Sequence, residues 1–278
     1  MLNEIRTEGR AGWAVARKQL QVLMRYRFGT INQVFQPLYQ VLLPGILLGA
    51  TFAIGGEAVG LAETTGTTDI AGYLFLGMLA LTLSSAAFWE VAFIIKQEMD
   101  AGTLEPAWLT PTRRETFVIG HTLAGLVMAT VTTVVLVGVG ILVFGAEIAP
   151  SLVIALPVLA LTSVGVLGIG YLVAALVLRM REASFFVDST DFMFATLSGA
   201  AFPIIVLPDV IRWVAYLLPT THALDLIRVA ALGTRPLLPA PIEWAALAVS
   251  SLALVAVGRW AWLATEHRLR VQGTLGQH

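Results

Sequence analysis

The sequence predicts an all-α integral membrane protein with six transmembrane helices, an N-terminal amphipathic interface helix and two short re-entrant helices before the last span. Three observations carry that prediction. The first is composition: of 278 residues, 57% are hydrophobic and 13% charged, and mean hydropathy is +0.82. Soluble domains carry roughly 25% charge. The second is spacing. Residues 28–56, 116–146 and 148–178 contain no Asp, Glu, Lys or Arg, which leaves uncharged runs of 29, 31 and 31 residues. A helix of about 20 apolar residues crosses a bilayer core, so each run suffices for one span. Shorter gaps at 70–89, 192–208 and 244–258 serve if residues near their ends snorkel. The third is the placement of basic residues. With both termini inside, 14 Lys and Arg fall on inner segments, and only Arg212, Arg228 and Arg235 fall on outer loops. That is the positive-inside pattern.

The expected spans are 32–54, 70–94, 117–144, 152–178, 185–206 and 242–264, forming a single membrane domain over 1–278. Long continuous apolar runs favour helices over barrel strands, which alternate over about 10 residues. The first run follows a basic, polar lead and does not read as a cleaved signal peptide.

Each element has its own reason. In the lead, residues 3–28, Trp13, Ala16, Leu20 and Leu23 share one helical face, while Arg10, Arg17, Gln21 and Arg25 share another. Such a helix lies along the inner bilayer surface, as an anchor or as a dock for a partner. Span one carries Pro37, Pro44 and a Gly45–Gly49 pair, whose spacing permits close helix contact. The first outer loop, 55–69, is acidic and small. Residues 96–115, KQEMDAGTLEPAWLTPTRRE, interrupt the apolar pattern with seven charges, a glycine and two prolines, and fall on the inner side. A few residues around Glu147 and Pro150 turn spans three and four into a tight hairpin. Residues 203–241 hold six prolines, which leave room for two short helices. Asp209 is expected to cap the first, and Thr220 or Thr221 the second, which ends at Gly233. Both are too apolar for water and too short to span, so a re-entrant or interfacial position on the outer face follows.

Several chemistries are excluded. Without cysteine there is no disulfide and no thiolate. A phosphate loop needs a lysine behind its glycines, and Lys18 and Lys96 do not stand so. The glycines of 165–170 lie inside a span and suit helix packing. No paired histidine motif for a metal exists; His121, His222, His267 and His278 stand apart. No metal site and no nucleic-acid partner are expected. Glu90, Asp188 and Asp191 lie near the inner ends of spans two and five. They read either as ion-pairing groups at the headgroups or as a cytosolic gate. An ion-coupled carrier, or a membrane-embedded enzyme using these residues or His222, stays open.

The inner block Glu98, Gly102-Thr103-Leu104-Glu105, Leu109 and Thr110-Pro111, followed by Arg113 and Arg114, resembles the membrane subunits of type-2 ATP-binding-cassette (ABC) exporters, found mainly in bacteria. A second block fits the same family: Gly199, Phe202-Pro203, Leu207-Pro208, Pro219-Thr220 and Arg228. Glu105-Pro106-Ala107-Trp108 departs from the usual filling of the first block.

The resemblance implies a permease that is not itself an enzyme and borrows its motor. Two ABC ATPase subunits would hold ATP and Mg, and would work with two membrane subunits, a second copy of this chain or a related one, in a bacterial inner membrane. Glu98, Gly102, Thr103, Leu104, Glu105, Pro111 and Arg113 would couple to the ATPase, which favours docking as the role of residues 3–28. Phe202, Pro203, Pro208 and Pro219 would belong to an external gate. Cargo contacts are expected at Tyr39, Phe192, Phe194, Ser198 and Phe202. The implied cargo is a hydrophobic or amphipathic drug- or antibiotic-like molecule, or alternatively a lipid-linked polysaccharide or lipid. The aliphatic spans and 9% aromatic content lean toward the small hydrophobic cargo.

Overall fold

The computed structural model describes residues 2–39, 43, 47, 59–100, 102, 114–144, 152–180 and 184–272. Among these the regular structure is entirely helical: α1 (Leu2–Arg25), α2 (Arg27–Pro37), α3 (Val59–Thr65), α4 (Ile70–Asp100), α5 (Arg114–Phe144), α6 (Leu152–Met180), α7 (Ser184–Leu197), a 3-10 turn at Ile204–Val206, α8 (Asp209–Ala215), α9 (Pro219–Leu232) and α10 (Ala240–Gln272). Within the described residues, α5, α6 and α10 contain stretches long and apolar enough to cross a membrane, at Arg114–Leu142, Ile154–Met180 and Ala240–Leu269. In α4 the described side chains are continuously apolar over Ile70–Ser85. At 1.5 Å rise per residue, its 31 residues reach about 46 Å. Most of the expected first span lies outside the described residues.

The other three long helices pack around α6, whose neighbours are α4, α5, α7, α9 and α10. Glycines set the tightest crossing. A Cβ on Gly168 of α6 would stand 2.5 Å from the backbone of Leu254, and one on Gly258 of α10 would stand 2.2 Å from the Gly168 carbonyl oxygen. Only bare backbone fits there, so the glycine patch of α6 is a packing device. One apolar cluster joins α4, α5, α6, α7 and α10 through Val91, Ile95, Val118, Ile169, Val177, Val187 and Trp262, all almost fully buried.

Three local expectations change. The expected fifth span, 185–206, is helical only to Leu197, because Gly199 adopts a left-handed φ of +79° and turns the chain. Asp209 does not cap α8; it is the first helical residue, behind Pro208, and its carboxylate lies 3.3 Å from Arg212. Neither Thr220 nor Thr221 caps α9. The helix starts one residue earlier, with Pro219 at its first position, where the missing N–H costs nothing. It ends as expected at Gly233, φ +63°. The helix α1 packs on α5 through small residues. Gly12 and Ala16 turn inward, and Trp13 is exposed. Against α5, small residues pack better than an indole: a Cβ on Gly120 would stand 2.8 Å from Val15.

Candidate functional site

Three joints lie along α4, named inner, middle and outer after the orientation expected from the basic residues, and they hold about half of the residues singled out in the sequence. The inner joint ties α1 to the ends of α4 and α5. Lys18 Nζ of α1 donates to Glu98 Oε1 of α4 at 3.0 Å. The Thr116 hydroxyl of α5 donates to Glu8. Behind them, Arg259 and Arg114 bridge α5 and α10: Arg259 lies 3.1 Å from Glu115, and Arg114 lies 3.3 Å from Glu266. Gly102 follows α4 with a φ of +67°, a left-handed stop that suits glycine. Thus Glu98 stands against α1, while Gly102 is exposed just past the end of α4. Thr103, Leu104, Glu105, Pro111 and Arg113 lie outside the described residues.

The middle joint is a cleft of about 570 Å³ walled by α2, α4, α5 and α7. Its polar wall holds Gln33, Gln36, Ser85, Trp89, Asp188 and Asp191; Met78, Leu81, Met128 and Phe192 supply apolar surface. Asp191 accepts from Ser85 Oγ at 2.6 Å and from Trp89 Nε1 at 3.3 Å. Two neutral donors therefore hold this carboxylate in place, and they are not the basic inner groups expected to pair with it. Of the expected cargo contacts, only Phe192 lines the cleft, where it is largely exposed. Tyr39 bonds Asn32 at 2.8 Å on the side of α2. Phe194 packs against the buried cluster around Val187, and Ser198 is buried at the end of α7. Glu90 sits on α4, and its side chain is outside the described set.

At the outer joint, α8, α9 and the turn after α7 close over the ends of α4 and α6. Phe202 packs on Ile204, Leu207 and Ala215. Pro203 and Pro208 flank the 3-10 turn, and Pro219 is buried against Gly165 of α6. The guanidinium of Arg228 donates to the carbonyls of Gly199 at 2.7 Å, Ala200 at 2.8 Å and Tyr73 at 2.9 Å, and lies 3.3 Å over the Tyr73 ring. Its planar fork meets these acceptors from two separate nitrogens, a spread that the single nitrogen of an ammonium cannot reproduce. Nearby, His222 links three pieces of chain: Nδ1 lies 2.7 Å from Glu243 Oε1 of α10, and Nε2 lies 2.8 Å from the Tyr216 carbonyl oxygen. A carbonyl only accepts, so Nε2 carries a proton. Burial disfavours the imidazolium, but the bonds to Glu243 and to Tyr216 outweigh it and hold His222 above its ordinary value. Burial also pushes the Asp225 carboxyl up to about 6, against the Leu237 amide that donates to it at 3.0 Å.

Sequence reasoning missed Lys18 as a partner of Glu98, Ser85 and Trp89 as partners of Asp191, and the His222–Glu243 pair. A hint was present for the last: Glu243 stands at the start of an otherwise uncharged run. Among the described residues no group of three His, Cys, Asp or Glu could hold a metal ion.

Residues 10–232 match the family described as ABC-2 type transporter. The chain is 30% identical to Nodulation protein J of Rhizobium leguminosarum bv. trifolii over 186 residues, which cover 66% of this chain and 70% of that protein. It is 29% identical to Nodulation protein J of Sinorhizobium fredii over 223 residues, covering 77% and 80% respectively. The protein of the same name from Rhizobium meliloti is 31% identical over 186 residues, 64% of this chain and 70% of that one.

Proposed function

The chain belongs to the ABC-2 type transporter membrane family, the permease component of such systems and not the ATPase, and on that premise we propose that it exports an amphipathic molecule from the cell. Two copies of this chain, or one with a related permease, would form the path, and two ABC ATPase subunits would drive it from the cytosolic face of a bacterial inner membrane. The family match over 10–232 carries this reading.

The middle cleft supports an amphipathic cargo over a wholly apolar one. Amides, an indole, hydroxyls and two carboxylates line the cleft together with methionine, leucine and phenylalanine. Desolvating such polar groups without partners is costly, so a cargo that hydrogen-bonds them gains over one that cannot. A lipid-linked polysaccharide or other lipid has both parts. Small drug-like amphipaths fit as well, and Met78 and Met128 favour them, because thioether side chains adapt to varied apolar shapes.

Inverted vesicles holding the chain and its ATPase test the cargo reading. The expected result is that a lipid-linked oligosaccharide or a polar-headed amphipath stimulates ATP hydrolysis. Asp191→Asn should cut that stimulation about five- to tenfold, as for a lost charged hydrogen-bond partner. Stimulation by an apolar hydrocarbon probe alone, with Asp191→Asn indistinguishable from wild type, would contradict it.

A further inference from the structure

The outer joint is built more tightly than a cover over the bundle requires. Arg228 is buried, and its guanidinium reaches three backbone carbonyls on two other elements, one on α4 and two in the turn that ends α7. The opposite wall is equally committed. A Cβ on Gly77 of α4 would stand 2.1 Å from the Ala200 carbonyl oxygen and 3.0 Å from Arg228 Nη2. The Tyr73 hydroxyl also faces the Gly199 carbonyl, at 3.4 Å. Arg228 thus clamps α9, the Gly199–Ala200 turn and the outer end of α4.

The same α4 carries the other two joints. Its inner end holds Glu98 against Lys18, and its middle holds Asp191 of α7 through Ser85 and Trp89. A single 31-residue helix therefore touches the inner joint, the cleft and the outer hairpin. The guanidinium holds the Gly199 and Ala200 carbonyls in the turn directly after α7, and the Thr221 hydroxyl of α9 donates to the Leu197 carbonyl at the end of α7 at 3.4 Å, so a shift of α7 pulls on α9.

We infer that Arg228 is a positioning residue for transport, which makes α4, the end of α7 and α9 one moving body and so delivers a displacement at the inner end of α4 to the outer hairpin. The inference rests on the permease reading, in which an ATPase pushes from the inner side. It assigns Arg228 no contact with cargo.

The absence of cysteine from the chain makes pairs of introduced labels clean. Spin labels at Ala201 and Ala231, and at Ala71 and Ala231, in the intact complex should keep their separations between nucleotide-free and nucleotide-trapped states. Labels across the bundle should move. Arg228→Met and Gly77→Ala should leave membrane level and nucleotide-driven ATP hydrolysis intact, lower export about tenfold and broaden both label distances. Arg228→Lys should recover little, because an ammonium cannot take the three carbonyls in one plane. Gly168→Ala, an equally tight insult at the α6–α10 crossing, should leave the label distances sharp.

A wild-type change in either separation on trapping overturns the inference, whatever the variants do. Export at wild-type level in Arg228→Met or Gly77→Ala, or broadening in Gly168→Ala, overturns it too. If wild-type flux ignores nucleotide, the permease reading itself has failed; a failure confined to the variants touches only Arg228.

Discussion

His222 shows how a residue that looks ordinary in the sequence becomes consequential once placed. Its ring bridges Glu243 and the Tyr216 carbonyl in a buried site, and the folded protein favours the proton on it. A histidine whose value is raised on folding adds stability that is complete below its unfolded value, near 6.5, and is lost as pH rises through the folded value. Asp225 acts with the same sign lower down: between 3.8 and about 6 the unfolded carboxyl ionises first, so stability again falls as pH rises. Thermal unfolding of the purified protein should therefore show declining stability above pH 6.5. His222→Gln should flatten that slope and cost about 1–3 kcal/mol at pH 6. An unchanged slope would remove the imidazolium from the account. The three outer arginines, exceptions to the basic asymmetry, were legible as exceptions but not as clamps. Arg212 donates to the Ile205 and Leu207 carbonyls, Arg235 donates to the Glu63 carbonyl, and Arg228 holds α4. Apart from the Asp209 carboxylate beside Arg212, these acceptors are backbone atoms brought near by folding, and no side-chain pattern announces those.

At the scale of elements, periodicity and punctuation located most helices, and the misses have local causes. The apolar run after 185 gave no sign that α7 stops at Leu197, since Gly199 lies within a stretch whose composition still reads as a span. Pro219 was read as a barrier and serves as the first residue of α9. α10 runs on to Gln272, beyond the expected 264, because helix formation does not end where the apolar run does. The contact of α1 with α4 was not legible, because Lys18 and Glu98 stand 80 residues apart. Lys18 is 65% exposed, so the pair itself is worth at most about 1 kcal/mol. Its value lies in alignment. Glu98→Lys should lower permease-stimulated ATP hydrolysis two- to threefold, on the order expected for one exposed ion pair. The exchanged pair Lys18→Glu/Glu98→Lys should restore most of it in the same assay. Equal loss in the single and exchanged variants would show that the two charges act separately.

For the whole molecule, composition and the charge-free runs were sufficient to place the chain in a bilayer, because the energy of burying charge in lipid leaves few alternatives. The inner block around Gly102 and the outer block around Phe202 pointed to a borrowed motor before any contact was known. The geometry adds a line of joints along α4, from the Lys18–Glu98 pair through the cleft to the hairpin of α8 and α9. Cargo flux in proteoliposomes decides whether this is a path without an engine. With the partner ATPase on the same face as residues 96–115, flux should require ATP and stop with a hydrolysis-dead ATPase, and the chain alone should carry nothing. Nucleotide-independent flux by the chain alone would contradict the account.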